Sequence, residues 1–275
     1  MSGIIAILGR NLKNFTRDKL KLFFTIFMSV FFLFIFSFVM KPTTTGVDKP
    51  LNYLISGIII MTVFQAALTN STSIIEDMSS GFMKEIIVSP VARWQISIGQ
   101  VLSSTVIAFL QGVLVIGIGM FMGLDLNLIQ VIKMFSVMAV VGITFSSIGL
   151  YLATLAKSST TFQIMITAFT MPLTFLSGAY IPTTIMPKLL LPFVYINPLT
   201  YTTAIFRYIS LKMESFSSAA LVQSGVAFDI NGFIIMPYVG LLIIIAMGLI
   251  FFTLCVIQFN KADFSQVKVF NHNNK

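Results

Sequence analysis

Charge is what this chain has least of. Only 9% of its 275 residues are Asp, Glu, Lys or Arg, against 57% hydrophobic. A soluble domain carries roughly 25% charged residues, so this composition cannot coat a water-exposed surface. The chain is an integral membrane protein by this measure. Cysteine and histidine are almost as scarce, with one of each. Lone Cys255 sits in an apolar run and reads as a small buried hydrophobe; lone His272 sits in a polar tail. One Cys and one His make neither an intrachain disulfide nor a zinc site nor a Cys–His nucleophile pair. No G-x-x-x-x-G-K-[ST] run occurs within these residues, so they hold no phosphate-binding P-loop.

What is abundant is apolar sequence in long runs. A helix crossing a hydrocarbon core of about 30 Å needs about 20 apolar residues. The runs predict an all-α membrane protein with six spans, at about 22–40, 51–69, 94–122, 131–155, 161–178 and 234–257. Helices are required because their backbone hydrogen bonds close within each segment. The first run is too long for a cleaved leader and is expected to remain as a span. None of the six centres carries an ionisable side chain. Proton relays and voltage sensors place such groups at membrane depth, so the driving energy is expected from outside the chain.

Orientation follows from Lys and Arg. Arg10, Lys13, Arg17, Lys19 and Lys21 cluster before the first span, which predicts cytoplasmic N- and C-termini. Within residues 3–20, Ile4, Leu8, Leu12 and Phe15 form one stripe with the basic residues off it. That is the pattern of an interfacial helix in the inner headgroup layer. The cytoplasmic loop 75–93 contains GFMKEIIVSPVAR, read as a short helix ending near Ser89 and Pro90, which cap and open the third span. Such a helix on a projecting stalk resembles a docking knob. On the outer side, 179–231 holds Pro182, Pro187, Pro192 and Pro198 among apolar stretches. The expectation is a re-entrant hairpin between spans five and six, tolerated at membrane depth only against protein or a water-filled cavity.

Two motifs then resemble a known family, the permeases of type-2 ABC exporters in their bacterial drug- and antibiotic-resistance-like branch. One is FLSGAYIPTTIMPKLLLPFVYINPLTYTTAIFR, in which Ser177, Gly178, Tyr180, Pro182, Pro187, Asn197, Pro198, Leu199, Thr200, Tyr201 and Arg207 match the outer signature. The other is the loop before span three, with Glu85, Ser89, Pro90, Arg93 and Gly99. Gln100 stands where relatives often carry Lys, and Glu76 and Asp77 lack the arginine that usually accompanies them in this loop.

The resemblance covers the whole chain and implies the following. The chain is a single transmembrane domain over residues 1–275 and not an enzyme. ATP and Mg bind two copies of a separate ATPase subunit, and this chain binds no cofactor or metal. A second permease chain completes a homodimer or heterodimer in the plasma membrane. Gly81, Phe82, Met83, Lys84, Glu85, Ile86, Ile87, Ser89, Pro90 and Arg93 couple to the ATPase, with the helix Gly81 to Ser89 entering its groove. Ser177, Gly178, Pro182, Asn197, Pro198, Thr200, Tyr201 and Arg207 shape an outer gate. In that gate Asn197 and Pro198 are expected to start a helix, and Arg207 to reach lipid headgroups or Glu214. The cargo is expected to be amphipathic: a drug, a peptide antibiotic or a lipid-like molecule. A polysaccharide or glycolipid exporter, an ATP-independent transporter or channel, and a membrane-embedded enzyme remain as alternatives.

Overall fold

A computed structural model describes residues 2–39, 50–81, 83, 91–156, 158–230 and 232–261. The amphipathic segment forms α1, Ser2–Arg17. Asp18 separates it from α2, Lys19–Val39. Next come α3, Pro50–Thr69, and short α4, Thr72–Ser79. Three long helices follow: α5, Arg93–Phe121, α6, Leu128–Leu155, and α7, Ser159–Leu176. Next come α8, Leu191–Ile196, α9, Pro198–Ser210, and α10, Ser218–Gln223, before α11, Pro237–Lys261. An element outside the all-α expectation is the antiparallel pair β1, Phe228–Ile230, and β2, Phe233–Ile235.

Local chemistry explains the boundaries. α6 opens on a capping box, in which the Asn127 and Gln130 side chains each accept the other's backbone N–H at 2.9 Å. Ser158 caps α7 by accepting from Thr161 N–H at 3.1 Å. The start of α5 departs from expectation: its cap is Ala92, with no side-chain bond, and the helix begins at Arg93. At 29 residues α5 is about 43 Å long, still longer than the hydrocarbon core.

Four segments among the described residues are long and apolar enough to cross a membrane: Leu51–Met78, Arg93–Phe121, Leu128–Leu155 and Pro237–Gln258. They are not equivalent. The first is 83% buried over its most apolar stretch and the last only 22%. α3 is therefore the axis of the fold, packed by α2, α5, α6 and α9. α11 lies outermost on α6 and leaves Leu242, Leu249 and Ile250 exposed, as a lipid-facing helix does. One large cluster dominates the core, with Phe64 and Phe145 meeting edge to face at 4.6 Å where α3 crosses α6, and two small ones lie around Tyr201 and Phe228 and around Met213 and Leu221.

The α1 stripe is displaced from the one expected. Gly3, Ile7, Asn11 and Phe15 are the buried positions, and Ile4, Leu8 and Leu12 are half-buried. The reason is tertiary: α1 packs along α5, where Gly99 admits Ile7 and the amides of Asn11 and Gln100 pair.

Candidate functional site

The signature Phe175 to Arg207 folds into a clamp around the end of α7. A helix terminus leaves its last carbonyls without intrahelical partners. Here α9 supplies those partners. Asn197 Nδ2 donates to the Leu173 carbonyl at 2.8 Å, and Thr200 Oγ1 to that of Leu176 at 3.3 Å. Arg207 Nη1 and Nη2 donate to the carbonyls of Gly178 and Ala179, each at 2.8 Å. Ser177 Oγ closes the same end by donating to Thr174 O at 2.7 Å and accepting from Ala179 N–H at 3.1 Å. Gly178, at φ 80°, makes the left-handed turn that points these carbonyls at the guanidinium.

Asn197 acts at both ends of the turn. Its side-chain oxygen accepts from Leu199 N–H at 2.9 Å, and Pro198 takes the first helical position of α9. The helix start read from the sequence is therefore present. Thr202 and Thr203 donate back to the Leu199 carbonyl at 2.7 and 2.9 Å. Tyr201 turns the other way: its hydroxyl donates to Tyr195 O at 2.6 Å, and its ring meets Phe228 edge on at 5.8 Å. Pro182 stands at the N-cap position of a 3-10 turn, Thr183–Ile185, that follows the clamp; a second such turn is Met213–Ser215.

Arg207 corrects one expectation. It reaches neither headgroups nor Glu214, because it is 1% exposed. Glu214 instead pairs with Lys133 at 2.5 Å. The guanidinium lies over the Tyr53 ring, 3.5 Å from its centroid, and its Nε donates to Tyr53 O at 3.4 Å. Burial pulls its pKa below the ordinary value, and Tyr53 acts in the opposite direction. Arginine starts so far above neutrality that it stays charged. Its charge is balanced by carbonyl dipoles, a helix C-terminus and an aromatic face, with no carboxylate partner among the described residues.

Two members of the clamp were not found in the sequence, Tyr53 and Gly57. Both lie on α3. A Cβ on Gly57 would stand 2.4 Å from Ala179 O, so only glycine admits the strap at this distance. The available signal was Tyr53, Ser56 and Gly57, a polar and small patch opening an otherwise aliphatic span. Ser56 Oγ in turn meets Ser210 Oγ at 2.7 Å, fastening α3 to α9 a second time.

The coupling segment is only partly within the described residues. Phe82, Lys84, Glu85, Ile86, Ile87, Ser89 and Pro90 lie outside them. Gly81, at φ 81°, follows Ser80, the C-cap of α4, and so stands at that helix's end. Met83 is 1% exposed and belongs to the core cluster. Arg93 donates to Asn260 O at 3.0 Å, tying the start of α5 to the end of α11. Asp77, which has no arginine beside it in sequence, pairs with Arg10 of α1 at 2.5 Å.

Comparison with known proteins accords with this geometry. A protein of Cyanophora paradoxa named as transport permease ycf38 is 29% identical over 208 residues, covering 74% of this chain and 69% of its own. A protein of Escherichia coli K12 named as multidrug ABC transporter permease YbhR is 27% identical over 158 residues, covering 58% of this chain and 43% of its own. A ycf38 of Porphyra purpurea is 27% identical over 161 residues, covering 57% of this chain and 55% of its own. The family described as ABC-2 type transporter matches residues 2–211, which include both motifs and every residue of the clamp. The chain belongs to the ABC-2 type transporter family, a family of membrane permeases that associate with ABC ATPase subunits.

Proposed function

We propose that this chain is the membrane permease of an ATP-driven exporter that moves amphipathic molecules out of the cell. The observation that carries the reading is the family match over residues 2–211 in a chain whose residues hold no P-loop. ATP and Mg would then bind two copies of a partner ATPase, and a second permease chain, identical or related, would complete the pathway. α2 and α7 serve as the two further spans, making six. α7 is short and polar at its start, and the clamp on its C-terminal end anchors it to α3.

In this mechanism the outer segment 179–231 seals the exit. The clamp makes α7, α9 and the top of α3 move as one body, so a displacement begun on the inner side is delivered to the exit. The inner input is the segment Gly81 to Ser89, docked in a groove of the ATPase with both termini cytoplasmic. Arg93 and the Arg10–Asp77 pair link that segment's neighbourhood to α11 and α1. The printed name of YbhR supports drugs as one cargo class. A Phe- and Met-rich chain with few charges suits amphipathic cargo over a polysaccharide.

The test is reconstitution of the chain with its ATPase in vesicles, following ATP-dependent movement of a fluorescent amphiphile. Transport is expected only with ATP and the ATPase, and Glu85→Arg should uncouple hydrolysis from transport. Equal movement without ATP would establish a channel or secondary transporter. Unaltered transport in the Glu85 variant would remove the docking role.

A further inference from the structure

An apolar groove of about 340 Å³ runs where α5, α6 and α11 meet. Val101 and Leu102 of α5, Val140 and Ile143 of α6, and Leu249 and Phe252 of α11 line it. Its one side-chain hydroxyl, on Thr144, already donates to Ile244 O at 3.3 Å. Gly248 lets α11 seat directly on α6 there, since a Cβ would stand 2.4 Å from Thr144 Oγ1. The groove opens away from the core, because Ile143, Ile245 and Leu249 on its rim are exposed. Ile245 and Leu249 continue the exposed stripe of α11 that starts at Leu242, so in a membrane the groove faces lipid.

One end of the groove is charged. Trp94, Ile98 and Val101 fall at i, i+4 and i+7 on α5, and Ile98 and Val101 line the groove. Trp94 therefore stands on the groove's own face, one turn before its first lining residue, and it is exposed. Tryptophan at the end of a spanning helix marks the level of the lipid headgroups. Beside it, half-buried Arg93 donates to Asn260 O at 3.0 Å and bridges α5 to α11 across that end. α11 finishes one residue later, on Lys261. The helices α5, α6 and α11 carry no Asp or Glu, so no carboxylate on the three walls opposes an anion.

Lipid tails are as apolar as these walls, so the groove by itself would hold any tail and choose none. Filling it restores dispersion contacts that a void forfeits. The choice falls to the headgroup: a zwitterionic one brings its own cation toward Arg93, and an anionic one does not. We infer that the groove is a binding site for an anionic phospholipid, which lays one acyl chain along α11 and sets its headgroup at Arg93. Bound there, the lipid joins α11, the least buried of the four long apolar segments, to α5 at the end where Arg93 already ties them. The site shares no residue with the clamp, and it holds whichever molecule the permease moves and in whichever direction.

Trp94 is the chain's one tryptophan, so its fluorescence reports on the mouth of the groove. The full-length chain in detergent is titrated with phosphatidylglycerol or phosphatidylcholine brominated on the acyl chains, and quenching is followed. Saturable quenching is expected, with half-saturation about fivefold lower for phosphatidylglycerol, the ratio that corresponds to about 1 kcal/mol for one basic residue at an anionic headgroup. Arg93→Gln should remove that preference, and Arg93→Lys, which keeps the charge, should retain most of it. Ile98→Phe, at a half-buried groove position, should weaken both lipids about fivefold. Thermal unfolding confirms that the variants are folded, and Ile98→Phe carries the test if Arg93→Gln is not. Quenching that never saturates, or that is blind to the headgroup in wild type, identifies ordinary surrounding lipid and overturns the site. Wild-type quenching by the folded Arg93→Gln and Ile98→Phe variants does the same. Quenching that emerges only when the chain is diluted to a monomer assigns the face to a second copy and likewise overturns it.

Discussion

The clamp on α7 and the seam where α1 packs on α5 are both polar regions in an apolar molecule, and they are fastened by different groups. In the clamp, the Arg207 guanidinium reaches three carbonyls and an aromatic face, and Asn197 and Thr200 bond two more carbonyls of α7. Along the α1 seam, Asn11 bonds Gln100 and Ser103 of α5, and the amides of Asn70 and Gln100, each bonded through its oxygen, keep buried, unpartnered nitrogens. The clamp too keeps buried hydroxyls without partners, at Tyr53 and Thr174, so full pairing is not what separates the two regions. What separates them is the kind of bond: the clamp locks α7 to α3 through main-chain carbonyls, each of which would be stranded by movement, whereas the α1 seam is held by side-chain amides.

Breaking the lock should have the largest effect. Arg207→Ala leaves two buried carbonyls unmet and a void above Tyr53; it should lower stability by about 3–5 kcal/mol in thermal or denaturant unfolding. Arg207→Lys should recover little of this, because one ammonium cannot reproduce the planar fork. Gly57→Ala tests the same lock from the α3 side. Its methyl would collide with Ala179 O, and a loss of about 1–3 kcal/mol is expected from the strap's displacement. Asn197→Ala removes a helix cap and the bond to Leu173, for about 1–2 kcal/mol.

Away from the clamp the effects shrink. Asp77→Ala removes the half-buried pair with Arg10 and should cost about 0.5–1 kcal/mol. Its measured consequence should instead be weaker linkage between ATP hydrolysis and transport in vesicles. Smallest of all, Glu214→Ala breaks a pair whose side chains are 52% and 45% exposed, and unfolding should shift by no more than about 0.5 kcal/mol. A large effect there, or a small one at Arg207, would reverse the assignment of structural weight.

Much of the clamp was legible because its chemistry is local. Asn-Pro followed by an apolar helical stretch announces a capped helix start whatever surrounds it, and Asn197 and Pro198 form one. The ends of α3, α5, α6 and α7 likewise fall within a few residues of where hydropathy placed them. The destination of Arg207 was not legible. An arginine in an outer segment reads as a solvated charge, and only packing against Tyr53, Gly178 and Ala179 makes burial favourable. The α1 stripe shifted for the same kind of reason: periodicity ranks apolar residues, whereas Gln100 and Ser103 on α5 made a polar Asn11 the right residue to bury.

By itself, then, the sequence determined that the chain is a membrane protein of long helices with a Pro-punctuated segment before the last of them. These follow from composition and local backbone chemistry, which act within a few residues. Tertiary structure alone decided which helix is central, that Arg10 serves Asp77 and Glu214 serves Lys133, and that Arg207 closes α7 instead of meeting lipid. Those outcomes depend on partners dozens of residues apart, and a buried charge chooses its partner by which dipoles the fold brings within hydrogen-bond reach.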